Sequence, residues 1–75
     1  MKLDKVTALT IESALIVAEL MERREVISWL ELSRAQKFPD RRRTMEYRAD
    51  ACSERAGRYR KALAALRNAR NSGRN

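Results

Sequence analysis

From Met45 onward, apolar and small residues recur at alternating steps of four and three: Met45, Ala49, Cys52, Ala56, Tyr59, Leu63 and Leu66. That spacing holds all seven on one side of an α-helix and describes a heptad seam. The first half of the seam is small, at Ala49, Cys52 and Ala56, so a neighbouring helix can approach closely there. Gly57 stands beside them, and a glycine inside a helix costs about 1 kcal/mol against alanine. It marks either a close-contact point or a tolerated position.

The first half of the chain has helical periodicity of a different kind, apolar on two sides. One stripe runs Leu9, Ile16, Leu20, Ile27 and Leu30; a second holds Ile11, Leu15, Ala18, Trp29 and Leu32. A helix with one neighbour needs one apolar stripe, whereas a helix apolar on opposite sides must be covered on both.

One strong breaker separates the two patterns, the stretch Phe38-Pro39-Asp40. A residue before proline is pushed out of helical dihedrals, and proline itself suits the first turn of a new helix. Asp40 adds negative charge where the new helix dipole favours it. At the front, Asp4 or Thr7 can cap the first helix. Near the end, Ser72-Gly73 marks a stop, with Gly73 suited to the left-handed position past the last turn. The chain thus predicts one all-α domain over residues 1–75: a helix at about 5–37, a turn at 38–40, a helix at about 40–71 and a short tail at 72–75. So short a turn makes the helices antiparallel neighbours, a two-helix hairpin. One stripe of the first helix takes the seam of the second. The other, assigned here to Ile11, Leu15, Ala18, Trp29 and Leu32, then requires another molecule as a dimer interface. The simplest closed solution is a two-fold pair of hairpins, a four-helix bundle with the first helices central.

Size points the same way. A chain of 75 residues buries only about 60% of its unfolded surface and commonly needs a staple or a partner. Cys52 is the single cysteine, so an internal disulfide is excluded, and there is no histidine. No cluster of cysteines or closely spaced carboxylates suggests a metal site, and no cofactor is expected. Assembly is the remaining route. The apolar run Ala8–Met21 is interrupted by Glu12 and Glu19, is shorter than the ~20 residues a span needs and has no small-residue cleavage site after it. A soluble protein of the cytoplasm, of a bacterial cell or phage host, is the expectation, and a lone cysteine fits a reducing compartment.

Charge changes the picture more than composition does. Residues 1–40 carry six basic and seven acidic side chains, residues 41–75 eleven and three, and together they account for the net +7. No acid follows Glu54. Such asymmetry suggests an anionic partner, either nucleic acid or the acidic face of a protein. Thirteen of the seventeen cations are arginine, which G+C-rich coding also produces. In a folded hairpin, Glu19 and Glu22 come near Arg55 and Arg58, so some arginines are partnered internally, each exposed pair contributing only about 0.2–1 kcal/mol.

Catalysis is poorly supplied. A general base would have to be a carboxylate, lysine, tyrosine or cysteine held in a pocket, the acids are spaced singly, and two glycines cannot build a phosphate loop. A non-catalytic protein is expected. Cys52, within the apolar seam, reads as a buried, inert thiol. Trp29 reads as interface filling or as an exposed anchor, Tyr59 as seam, and Tyr47, off the seam, as the exposed aromatic. The run Arg41-Arg42-Arg43 is the densest charge and lies where a helix dipole disfavours cations, which suggests a binding role. Arg41, Arg42, Arg43, Tyr47, Arg60 and Arg67 form the candidate partner-binding set.

Two functions follow. In the first, a homodimer binds a larger protein with an acidic surface stoichiometrically, as an inhibitor or adaptor. In style the chain resembles the small, arginine-rich accessory proteins of phages and mobile elements, although no motif identifies a family. In the second, the dimer binds RNA or DNA through its basic second helices. The hairpin-dimer architecture is similar to that of the plasmid RNA-binding protein Rop; no residue matches it, so none of its contacts carries over.

Overall fold

The computed structural model describes residues 4–72. Two helices account for nearly all of them: α1, Lys5–Ala35, and α2, Pro39–Ser72. They pack side by side, and the molecule measures 57 × 16 × 14 Å. A two-helix hairpin is therefore observed, with α1 ending two residues earlier than its sequence pattern suggests and α2 beginning at the proline itself. The stop assigned to Gly73 lies outside the described residues.

The ends follow from local chemistry. Asp4 caps α1, its Oδ1 accepting the Thr7 backbone N–H at 2.7 Å. This satisfies one of the donors that a helix N-terminus leaves without an intrahelical partner. Gln36 closes α1 in extended conformation, its N–H bonding the Ser33 carbonyl at 3.2 Å, and its side-chain oxygen accepts the Phe38 N–H at 3.4 Å. Pro39 occupies the first position of α2, where its missing N–H costs nothing, and the Phe38 carbonyl accepts Arg42 N–H at 3.0 Å.

The interface between the helices is a pair of heptad rows. On α2, every member of the expected seam is buried or half-buried, with Ala49, Cys52 and Ala56 at 2%, 3% and 1% exposure. On α1, the row turned inward is Ala8, Glu12, Leu15, Glu19, Glu22, Val26, Trp29 and Ser33, with Ala18 beside it. Its steps of four and three match those of α2, yet three of its members are glutamates.

This reverses the assignment of the two α1 stripes. Leu15, Ala18 and Trp29, expected to be spare for a second copy, are half-buried on the α2-facing side. Ile11 lies at its margin, 38% exposed, whereas Leu32, 51% exposed, lies about 110° around α1 from the inward row on the flank opposite the open stripe. The other stripe is the one left open: Leu9 46%, Ile16 37%, Leu20 57%, Ile27 58% and Leu30 38% exposed. At about 100° per residue its centre lies roughly 110° around α1 from the inward row. In the observed orientation Glu12 and Glu22 reach arginines of α2.

Gly57 makes no close contact: a Cβ there would meet nothing within 4 Å. It is a tolerated glycine. Gly57→Ala should therefore raise stability by about 0.5–1 kcal/mol through a less flexible unfolded chain, seen as a thermal midpoint higher by roughly 4 °C. A midpoint that falls instead would reveal a neighbour packed on that spot.

Candidate interaction surfaces

Polar contacts tie the two helices together along the length of the hairpin. Glu12 accepts Arg67 Nε at 3.1 Å and Arg70 Nη1 at 2.5 Å. Near the middle, Glu22 accepts Arg55 Nε at 3.1 Å, and near the turn the Ser33 hydroxyl donates to Glu46 at 3.3 Å. Glu19, expected across from Arg55 and Arg58, instead takes Arg23 of its own helix at 2.7 Å. Glu22 keeps one enclosed oxygen, Oε2, without a hydrogen-bond partner.

The Arg67 hydrogen bond, and then Arg70, hold the Glu12 carboxyl below the ordinary glutamate value of 4.5. A carboxyl whose folded pKa lies below its unfolded one supports the fold above the unfolded value and withdraws that support as pH falls through the folded one. The thermal midpoint should therefore drop as pH is lowered from about 5 toward 3, and Glu12→Gln should both lower the neutral-pH midpoint and flatten this acid limb. An acid limb unchanged in the variant would mean that other carboxyls carry it.

Cys52 is buried in the seam. Burial, followed by the nearby Glu22 carboxylate, pushes its thiol up from the ordinary value, and Arg55 Nη2 lies 3.3 Å from the sulfur. A thiol in that state is a weak nucleophile. Among the described residues no group of three or more His, Cys, Asp or Glu side chains could hold a metal ion.

The six residues proposed for partner binding do not form one site. Arg41, Arg42, Arg43 and Tyr47 stand at the turn end, and Arg60 lies about 27 Å along the helix from Arg42 at 1.5 Å per residue. Half of the six also have internal roles. The Arg41 guanidinium lies 5.1 Å from the Phe38 ring centroid, Arg42 Nη2 donates to the Gln36 carbonyl at 2.8 Å, and Arg67 holds Glu12. The triple-arginine run is thus explained by its neighbourhood: the turn sets it beside the C-terminus of α1, whose negative dipole end offsets the unfavourable position on α2. Arg43, Tyr47 and Arg60 are exposed, Tyr47 at 74%.

Sequence reading missed a groove on the side of the hairpin away from the α1 stripe. It has a volume of about 510 Å³ and is walled by Trp29, Tyr47, Met21, Glu22, Glu25 and Arg55. Arg48 bridges over it, its guanidinium 5.0 Å from the Trp29 ring centroid, a cation–π contact that covers the indole face.

The chain matches no family model, no curated protein and no solved structure. Nor is any helix among the described residues long and apolar enough to cross a membrane. The open face of α1 is consequently the largest feature to be explained. Besides the stripe it includes Val6 and Val17, exposed at 74% and 54%, and an open apolar face of this extent marks an interaction surface.

Proposed function

We propose that the protein is a non-catalytic binding module, a homodimer of hairpins that acts by stoichiometric attachment to a larger protein. The observation that carries this is the open apolar stripe of α1, with five large aliphatic side chains left between 37% and 58% exposed by the chain's own fold. Covering the exposed part of each adds roughly 0.6–1.7 kcal/mol to association, and an assembly through this face is the thermodynamic outlet for a chain too small to cover it.

A protein partner is favoured over nucleic acid by the deployment of the α2 cations. Arg41, Arg42, Arg48, Arg55, Arg67 and Arg70 are directed to groups of the hairpin itself, which leaves Arg43, Arg58, Arg60 and Lys61 outside these contacts. Those four do not make a continuous row of the kind that tracks a phosphate backbone. They suit a limited acidic patch on a protein surface, with exposed Tyr47 as an apolar contact beside Arg43.

Two measurements test the reading. Sedimentation equilibrium should report about twice the 8.7 kDa chain mass; a well-folded species of single-chain mass at high concentration would end it. Capture of partners should be run beside a gel shift on duplex DNA and structured RNA, both across salt. Binding through phosphates falls steeply between 50 and 200 mM salt, by orders of magnitude for several contacts. A strong shift with that slope would replace the protein partner by nucleic acid.

A further inference from the structure

The open stripe of α1 is nearly a palindrome. Extended by the same steps of four and three, it reads Val6, Leu9, Ser13, Ile16, Leu20, Arg23, Ile27 and Leu30. Counted outward from the level of Ala18, aliphatic side chains match at each distance: Ile16 with Leu20, Leu9 with Ile27, Val6 with Leu30. The one polar level pairs the short Ser13 with the long Arg23.

We infer that the stripe is self-complementary, and that two copies of the chain join by their α1 helices in antiparallel register about a two-fold axis at the level of Ala18. This rests on the dimer reading above and adds to it the face, the direction and the register. Under the two-fold, Leu9 of one copy meets Ile27 of the other at both ends, Ile16 meets Leu20 on both sides of the axis, and every aliphatic side chain of the stripe finds another. Such reciprocity is what an isologous interface demands.

Three observations choose this occupant and this direction. The first is area. A compact monomer of 8.7 kDa would expose about 4700 Å², whereas this chain exposes 6350 Å². The excess is about twice the ~800 Å² per partner that a specific interface removes. The second is charge. In a parallel pair each position meets its own copy, so the two Arg23 guanidiniums would face each other inside the seam, and like charges there are destabilising. Antiparallel, Arg23 lies opposite Ser13, with space for its side chain and its ion pair to Glu19 kept. The third is the fit of sizes, the largest stripe residue facing the smallest. Antiparallel α1 helices also oppose their dipoles favourably.

Disulfide trapping reads the register directly. In a Cys52→Ala background, chains carrying Leu9→Cys and chains carrying Ile27→Cys are mixed in equal amounts and oxidised under native conditions. The proposed register brings the two sulfurs together, while two Leu9→Cys sites lie about 27 Å apart along the seam, beyond the ~7 Å between Cα atoms that a disulfide spans. The mixed disulfide should exceed either homodisulfide by at least about tenfold, in place of the statistical twofold. A second mixture, Val6→Cys with Leu30→Cys, whose homodisulfide sites lie about 36 Å apart along the seam, should give the same result and guards against loss of folding in the first. Predominance of homodisulfides would overturn the antiparallel register in favour of a parallel one. No trapping by either mixture, with the unsubstituted chain still sedimenting as a dimer, would overturn the face while leaving the dimer reading standing. A monomeric unsubstituted chain would overturn both.

Discussion

Leu20→Asp should separate assembly from folding. Leu20 is 57% exposed in the hairpin and sits near the middle of the open stripe, so aspartate there costs the single hairpin little beyond its weaker helix propensity but removes an apolar group and inserts a charge into a paired α1 seam. The loss is felt twice in a two-fold assembly. With just over half of each leucine left to be covered, the loss is about 0.9–1.7 kcal/mol per copy, so the dissociation constant should rise by at least about 10-fold, and sedimentation should report the 8.7 kDa chain. Its thermal midpoint should fall and cease to depend on concentration, because mass action no longer supports the folded state. Leu15→Asp is the informative contrast. Leu15 lies in the row that faces α2, so its replacement should cost the helical hairpin itself, seen as lost helicity at concentrations where Leu20→Asp is still helical. If the two variants behave alike, then either the hairpin does not fold as a unit or the open stripe is not where copies meet.

The second large effect is expected at Ala56, which is 1% exposed and belongs to the small-residue half of the α2 seam. Ala56→Leu adds three carbons to a contact with no room for them. Overpacking of this kind costs typically 1–3 kcal/mol, which for a chain of this size lowers the thermal midpoint by roughly 5–20 °C. Ala62→Leu, on the same helix but exposed, controls for the change of residue and should stay within about 0.5 kcal/mol of the parent. A tolerated Ala56→Leu would mean that the small-residue half of the α2 seam does not hold the helices near one another.

Much of the hairpin is visible in the sequence because its signals are local. The proline at 39 and the residue before it stop one helix and start the next by steric rules that need no partner. Asp4 caps α1 as its side chain and position imply. The α2 seam is legible because its period is regular and its opposite face is charged, which leaves one way for that helix to turn. Gly57 and Arg41–Arg43 are different. Whether a glycine touches anything, and whether a guanidinium finds a carbonyl at the end of a neighbouring helix, depends on where another element lies, and no pattern along the chain encodes that distance.

The α1 helix marks the boundary most clearly. By itself the sequence determined that this helix is apolar on two sides and that a hairpin partner can cover only one of them, since hydropathy and the 3.6-residue period are properties of the chain alone. Only the tertiary structure decided which side is covered. It covered the row with three glutamates and left open the row with more aliphatic side chains; Glu12 and Glu22 of the covered row meet Arg67, Arg70 and Arg55 across the interface, and a search for apolar stripes gives such a row no weight. Ion pairing between distant segments depends on the register of two helices, which exists only once both are packed. The same choice left Leu9, Ile16, Leu20 and Ile27 facing outward.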